Sequence, residues 1–295
     1  MAALTTAFLW SFTSIFFTLA GRRIGSYWVN KFRMPLASVF LAITLFITTG
    51  QLLPNDVSSY AFIYLTLSGI IGLALGDTCL FRAFVILGTR LTLLVFTVSP
   101  IIAALTAWIL LGEKLGLMAI LGIGITVGGV AWVTAERSQK EEKNNYADQG
   151  SKITGILLAV GGAAGQAIGL VLAKSGMSDG IDPLPATFIR MITATAAIWL
   201  FSLFKGDIKK TITKLKDSRA LWWALGGTIC GPFLGVWLSL VAVNNTEAGI
   251  AAAIMATAPV LVIPLVIIVY KEKVSIRAFI GAIIAAGGVA LLFLG

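Results

Sequence analysis

The sequence predicts an all-α integral membrane protein with ten transmembrane helices arranged as two inverted five-helix repeats. Three observations predict this fold class. Of the 295 residues, 58% are hydrophobic and only 12% are charged, and the mean hydropathy of +0.96 exceeds what a soluble domain of this size can bury. Ten apolar segments are each long enough to span a bilayer. Two stretches of the chain also match each other at a constant offset.

The ten predicted spans follow one another with short connections. They cover residues 3–20, 34–50, 59–86, 91–111, 116–135, 153–174, 184–204, 221–243, 248–270 and 275–294. The first span has no basic segment before it, so we expect it to remain a helix rather than a cleaved signal. Residues 136–152 are predicted to be a polar connector between a first repeat, 1–135, and a second repeat, 153–295.

The distribution of Lys and Arg predicts how the spans are oriented. The odd-numbered loops hold 18 of these residues, whereas the even-numbered loops and both termini hold two, Lys114 and Lys174. Cytoplasmic loops retain positive charge during membrane insertion. We therefore expect the odd loops to be cytoplasmic and both termini to lie outside the cell membrane.

An internal repeat is found when the chain is compared with itself at an offset of 159 residues. Three spans align without a gap, and Arg33-Met34 matches Arg190-Met191 at an offset of 157. The matched pairs are Gly72/Gly231, Gly76/Gly235, Ala83/Ala242, Pro100/Pro259, Glu113-Lys114/Glu272-Lys273, Gly122/Gly281 and Gly128-Gly129-Val130-Ala131/Gly287-Gly288-Val289-Ala290. Because five spans is an odd number, the second copy is predicted to cross the membrane upside down. This architecture is typical of secondary transporters that work by alternating access.

The repeated motifs resemble the duplicated EamA domain of the drug/metabolite transporter superfamily. The motifs are Pro100 followed by Gly112-Glu113-Lys114, Pro259 followed by Glu272-Lys273, the Gly-Gly-Val sequences, Trp10-Ser11 in the first span, and Arg33 and Arg190 near the second and seventh spans. The resemblance covers nearly the whole chain. It implies a ten-helix exporter or uptake carrier with a central cavity lined by helices 1, 3, 4, 6, 8 and 9. It also implies an amino acid or similar metabolite as the solute. Well-known members are described with both termini inside, which is the reverse of the loop-charge prediction.

Asp77 is the one carboxylate well inside a predicted span, and its repeat partner is the apolar Val236. A charge in hydrocarbon is costly, so such residues usually face a cavity and serve function. Asp77 is therefore predicted to carry a proton or to bind a substrate amine. The competing interpretation is an ion pair with Arg82 or Arg33. Arg82, Arg33 and Arg190 are otherwise interpreted as arginines that reach the interface from span ends.

Other polar and aromatic side chains inside spans are predicted to contact the solute, with helix packing as the competing role. They are Trp10, Ser11, Ser14, Thr97, Ser99, Gln166, Trp237, Ser239 and Thr257. Pro100 and Pro259 are predicted hinges, because proline frees the carbonyl four residues earlier, here that of Phe96 or Met255.

Small residues recur at fourfold spacing in the third and eighth spans, at Gly72, Gly76, Gly231 and Gly235. Such residues let helices approach closely in a membrane, so helix packing is the predicted role. Glu113-Lys114 and Glu272-Lys273 are predicted to be structural turns in which the carboxylate lies near the N-terminus of the next helix.

Several function classes are excluded by what the sequence lacks. It contains no histidine and only two cysteines, so histidine catalysis and Cys/His zinc sites are not expected. No nucleotide-binding loop or nucleophile motif occurs, so neither enzyme activity nor a cofactor is predicted. The net charge of +9 lies in short loops, which favours a lipid surface over nucleic acid. The expected partners are a small-molecule substrate and the bilayer, and the protein is predicted to be a monomer, with a dimer left open. The alternatives are a lipid scramblase or flippase and an intramembrane enzyme.

Overall fold

The computed structural model describes residues 1–54, 57–135, 151–214, 217–258, 260–261 and 276–292, and the regular secondary structure in these ranges is helical. The helices are α1 (Ala2–Ile24), α2 (Ser26–Thr49), α3 (Ser59–Ser68), α4 (Asp77–Phe96), α5 (Ser99–Leu111), α6 (Leu117–Ala135), α7 (Lys152–Gly176), α8 (Pro183–Lys205), α9 (Ile208–Lys214), α10 (Ser218–Thr228), α11 (Leu234–Asn244), α12 (Ala248–Met255) and α13 (Ile276–Leu292). Two π-helical segments, π1 (Gly69–Gly76) and π2 (Ile229–Phe233), join α3 to α4 and α10 to α11.

Seven helical stretches of the described chain are long and apolar enough to cross a membrane. Two further apolar helices, Leu117–Trp132 and Phe279–Leu292, are shorter. Over the described residues the fold is therefore all-helical with several candidate membrane spans, as predicted. The number of ten spans remains a prediction.

Two predicted loops are helical. Gly25, with a φ of 93°, alone separates α1 from α2, so α2 begins eight residues before the predicted second span. Lys31 and Arg33, which precede the predicted second span, lie inside this helix and are buried. Helix α4 likewise includes residues 87–90, where the sequence predicts a loop.

Helix α7 lies antiparallel to the stretch formed by α3, π1 and α4. Gly155 packs on Leu87 at one end and Gly176 on Leu65 at the other. Between them, a Cβ built on Gly169 would lie 2.7 Å from the Cα of Gly72. The backbones are therefore in direct contact, which is the packing predicted for the glycine positions of the third span.

Helix α1 lies antiparallel to α10, π2 and α11 in the corresponding way. A Cβ on Gly231 would lie 2.7 Å from Thr13 Cγ2, and one on Gly235 would lie 2.5 Å from Trp10 Nε1. Both glycines thus leave room for α1 side chains. The first helix of each half of the chain consequently packs on the other half.

The pairs α2–α8 and α6–α13 bring together residues that the repeat relates. Ser38 and Thr195, which are 157 residues apart, form a hydrogen bond of 3.2 Å between α2 and α8. A Cβ on Gly129 would lie 2.5 Å from Ala285 N, and one on Gly288 would lie 2.5 Å from Thr126 N. The 159-residue offset relates Thr126 to Ala285 and Gly129 to Gly288, so these two contacts are equivalent under the repeat.

Candidate functional site

Asp77 lies at the junction of π1 and α4 and is 5% exposed. Arg33 Nη2 donates to its Oδ2 in an ion pair, and Gln166 Nε2 donates to its Oδ1. Arg33 belongs to α2 and Gln166 to α7, so this carboxylate links the two halves of the chain. Of the two arginines that the sequence left open as partners, Arg33 forms the ion pair, and Arg82 is exposed.

Arg33 is held by further contacts around its guanidinium. Its Nε donates to Asn30 Oδ1 at 2.8 Å, and its Cζ lies 5.3 Å and 4.8 Å from the ring centroids of Phe17 and Phe81. Such cation–π contacts favour a guanidinium that has lost its water. The interpretation of Arg33 as an interfacial arginine is wrong, because its charge is satisfied by buried protein groups.

Arg190 in α8 is also buried, at 2% exposure, so it does not reach the interface as predicted. Its Nε and Nη1 find no hydrogen-bond partner among the residues the structure describes. The Nη2 atom would lie 3.6 Å from a Cβ on Gly72 in π1, and Asp77 lies within electrostatic range. The predicted solute contacts omit Arg190, although its match to Arg33 is a signal that could have included it.

The two π-helical segments occupy equivalent places in the two halves. An offset of 159 residues places π1 on residues 228–235, a range that contains π2. π-Helical turns are rare and frequently occur at functional sites. Here π1 ends directly before Asp77, and π2 contains Pro232, which lacks an amide hydrogen.

Trp10, Trp237 and Ser239 are associated with α11. Trp10 packs on Gly235 at the start of this helix, and Trp237 stacks on Phe233 with ring centroids 6.3 Å apart. Ser239 is buried, and its Oγ donates to the Val236 carbonyl at 2.7 Å, which satisfies the hydroxyl within its own helix.

Ser11 connects α1 to the chain that follows α12. Its Oγ lies 2.9 Å from the carbonyl oxygens of Ala7 and Ala258. Ser14 is exposed and its Oγ donates to the Ser11 carbonyl at 2.7 Å. Thr257, directly before Ala258, donates through Oγ1 to the Ile254 carbonyl at 2.7 Å and is buried. Ser11 and Thr257 are thus brought to the same interhelical contact.

A break in the helix precedes each of the two repeated prolines. Helix α4 ends at Phe96 and α12 ends at Met255, and turns follow at residues 97–98 and 256–257. These are the residues whose carbonyls the prolines were predicted to free. Pro100 is the second residue of α5, where a missing amide leaves no hydrogen bond unmade. It therefore begins a new helix, and Pro259 lies outside the described residues.

Thr97 lies in the first of these breaks and Ser99 directly follows it, and both are buried. Thr97 Oγ1 donates to the Leu94 carbonyl at 2.6 Å, and Ser99 is the first residue of α5. The Thr97 hydroxyl satisfies a carbonyl near the helix end, as Thr257 does in the second half.

A second polar cluster joins the start of α2 to the end of α8. Lys31, 1% exposed, donates through Nζ to Asp207 Oδ1 at 2.5 Å and to Ser202 Oγ at 2.7 Å. The Tyr27 hydroxyl donates to Asp207 Oδ2 at 2.6 Å. Burial acts to raise the pKa of Asp207, but the hydrogen bonds from Lys31, Ser202 and Tyr27 outweigh it and lower the pKa to about 2.

A third cluster contains Glu113 and Lys174. Their side chains form an ion pair of 2.5 Å, and Lys174 Nζ also donates to the Thr246 carbonyl at 2.6 Å. Glu113 Oε2 accepts from the Ala248 amide at 2.9 Å. The carboxylate therefore caps the N-terminus of α12, not that of the next helix α6 as predicted. Glu272 lies outside the described residues.

These clusters provide charges and hydrogen-bond donors. Among the described residues no three His, Cys, Asp or Glu side chains lie close enough to hold a metal ion. The Asp77 cluster brings together a carboxylate, an amide and two buried guanidinium groups.

Comparisons with known proteins agree with this architecture. A solved structure titled "Crystal structure of protein" superposes with a TM-score of 0.71 at 17% sequence identity, covering 99% of this chain and 96% of that chain. At this identity the likeness shows the fold alone. No curated protein matches the sequence. The model of the EamA-like transporter family matches residues 1–135 and 153–294, on either side of the predicted connector. The resemblance inferred from the repeated motifs is thereby confirmed, and this chain belongs to the EamA-like transporter family.

Proposed function

We propose that this protein is a secondary transporter that moves an amino acid or related small metabolite across the cell membrane by alternating access. Its family indicates a membrane transporter of small solutes. The observation that carries the finer proposal is the buried Asp77, bound to Arg33 of its own half and to Gln166 of the other. Charged side chains inside a membrane bundle are retained mainly for function, and a site between two repeats is the usual location in such transporters.

The packing of related helices supports inverted repeats and alternating access. The Ser38–Thr195 hydrogen bond joins equivalent residues, and the contacts of α6 with α13 occur as a reciprocal pair. Reciprocal contacts between antiparallel helices are expected where a two-fold axis in the membrane plane relates the halves. The helix breaks before Pro100 and Pro259 are the proposed hinges of the motion.

The other proposed solute contacts are polar or aromatic side chains on α1, α5, α7, α11 and the segments beside the two breaks. They are Trp10, Ser11, Ser14, Thr97, Ser99, Gln166, Trp237, Ser239 and Thr257. Transport is either coupled to protons through Asp77 or uncoupled.

Counterflow in proteoliposomes tests the transport proposal. The purified protein is reconstituted with a panel of unlabelled metabolites inside, and uptake of the matching labelled solutes is measured across a range of pH. Asp77→Asn is expected to abolish uptake or its pH dependence, whereas Arg82→Gln, an exposed position on the same helix, retains both. Unchanged uptake and unchanged pH dependence in Asp77→Asn would remove Asp77 from the mechanism.

The proposed orientation, with both termini outside, is tested by labelling introduced cysteines. Leu53→Cys and Ile212→Cys are made in a background in which Cys79 and Cys230 are replaced by alanine. An impermeant maleimide added to intact cells is expected to label position 53 and to leave position 212 unmodified. The opposite pattern means that the termini are cytoplasmic.

A further inference from the structure

We propose that Arg190 binds the carboxylate of the transported solute, which makes the substrates organic acids or zwitterions rather than amines. This assignment rests on the transport function proposed above and specifies the chemical class of its solute. It follows from a buried cation, two of whose nitrogens have no hydrogen-bond partner among the described residues.

Arg190 has an unusual environment for a guanidinium. It is 2% exposed, and its Nε and Nη1 have no hydrogen-bond partner in the part of the chain that the structure describes. Buried polar groups are nearly always hydrogen-bonded, and an unmet charged donor is among the most costly to bury. The two nitrogens without a partner are therefore donors that a ligand could use.

Comparison with Arg33 shows which partner is missing. The two arginines are related by the 157-residue offset, yet Arg33 has Asp77 as its ion-pair partner. The residue equivalent to Asp77 in the second half is Val236, which is buried and has no charge. The first arginine thus receives its carboxylate from the protein, and the second has none at the matching place. A solute carboxylate would supply it.

The charge balance of the cluster points to the same ligand. Arg33, Asp77 and Arg190 together carry one net positive charge. Both oxygens of Asp77 already accept hydrogen bonds, one from Arg33 and one from Gln166. A carboxylate at Arg190 would neutralise the remaining charge, and the planar guanidinium can bind it through two parallel hydrogen bonds.

The backbone beside Arg190 packs directly on π1, at positions occupied by glycine. A Cβ on Gly69 would overlap the Arg190 carbonyl oxygen, so π1 and α8 are in direct contact there. A Cβ on Gly72, also in π1, would lie 3.6 Å from Arg190 Nη2. Glycine at position 72 therefore places no side chain against the guanidinium.

The first test measures the stability of the full-length protein in detergent without added solute. Removing an unpaired buried charge is expected to stabilise, so Arg190→Gln should unfold about 2–4 °C above wild type. Arg33→Gln is the matched control and should unfold at a lower temperature, because it leaves Asp77 unpaired. If Arg190→Gln is destabilised or fails to fold, Arg190 is a structural partner of Asp77 and the proposal is wrong.

The second test measures binding by the shift in unfolding temperature. The probes are L-serine, L-leucine and L-phenylalanine, each paired with the amine that lacks its carboxylate: ethanolamine, 3-methylbutylamine and 2-phenylethylamine. At least one acid should stabilise wild type while its amine does not, and Arg190→Gln should weaken that binding tenfold or more. Arg190→Lys, which keeps the charge, should recover part of it. An amine that binds as well as its acid, unaltered binding to Arg190→Gln, or no binding of any acid overturns the assignment.

Counterflow separates failure of this assignment from failure of the transport proposal. If the protein exchanges amines or neutral metabolites and Arg190→Gln exchanges them equally well, the transport function stands and the carboxylate assignment fails. If no solute in the metabolite panel is exchanged, the transport proposal itself fails.

Discussion

A methyl group at Gly169 is expected to force α7 away from π1. The added Cβ would lie 2.7 Å from Gly72 Cα and 3.1 Å from the Ser68 carbonyl oxygen, against 3.4–4 Å for ordinary contacts. The obstacles are backbone atoms, which cannot rotate aside, so the helices must separate by roughly 1 Å, and such overpacking costs about 1–3 kcal/mol. Separation also stretches the hydrogen bond from Ser68 Oγ to the Gly169 carbonyl, which costs about 1 kcal/mol more. Alanine offsets about 1 kcal/mol through its better helix propensity. A net loss of about 2 kcal/mol corresponds to a fall in unfolding temperature of about 4–8 °C.

Gly161→Ala provides the matched control in the same helix. Its Cβ would meet Cys79 Sγ at 3.9 Å, an ordinary contact, so only the propensity gain remains. Thermal unfolding of wild type, Gly169→Ala and Gly161→Ala in one detergent should place Gly169→Ala lowest and Gly161→Ala at or above wild type. If both variants unfold at the same temperature, the glycine contact does not hold these helices together.

Three further outcomes concern the clusters outside the Asp77 site. Asp207→Asn leaves the buried ammonium of Lys31 without its counter-charge and should cost about 3 kcal/mol, measured by thermal unfolding at neutral pH. The same pair predicts that the stability of the protein depends on pH, because the pKa of Asp207 in the folded state is lowered to about 2. The stabilisation of the folded state by ionised Asp207 is complete above the ordinary carboxylate pKa and is lost as the pH falls toward 2. Unfolding curves from pH 5 to pH 2.5 should therefore converge for wild type and Asp207→Asn, and parallel curves would contradict this. Glu113→Gln keeps an acceptor for the α12 amide but loses the ion pair with Lys174, for an expected loss of about 1–2 kcal/mol in thermal unfolding. The control is Asp179→Asn, in the exposed connection between α7 and α8, where Asp179 accepts a hydrogen bond from Ser58. Asparagine keeps that acceptor, so this variant should unfold as wild type does.

Hydropathy alone predicted where most of the helices lie, because a bilayer demands long apolar stretches with internally bonded backbones. It failed at the start of α2. Lys31 and Arg33 count against a span in any hydropathy average, yet both are buried beside acidic partners far away in the sequence. A partner 176 residues distant, as for Lys31 and Asp207, cannot be inferred from local composition.

The candidate site was predictable in its members but not in its connections. Asp77 stood out by its charge and Gln166 by its amide, but their hydrogen bond joins residues 89 apart and depends on how α7 packs on π1. Arg190 was identified only as the counterpart of Arg33. Its lack of a hydrogen-bond partner is a property of three-dimensional packing. The π-helical segments also escaped prediction, because a switch from i+4 to i+5 hydrogen bonding leaves hydropathy unchanged.

The first helix of each half packs on the other half, and this affects how the protein assembles in the membrane. During synthesis the glycine face of α3, π1 and α4 has no partner until α7 leaves the ribosome, and α1 must wait for α10 and α11. The first half therefore enters the bilayer with these helix faces uncovered, and its packing is completed only by the second half. A chain cut within residues 136–150 should accordingly remain one particle on purification, whereas either half expressed alone has exposed glycine faces and is a substrate for membrane quality control.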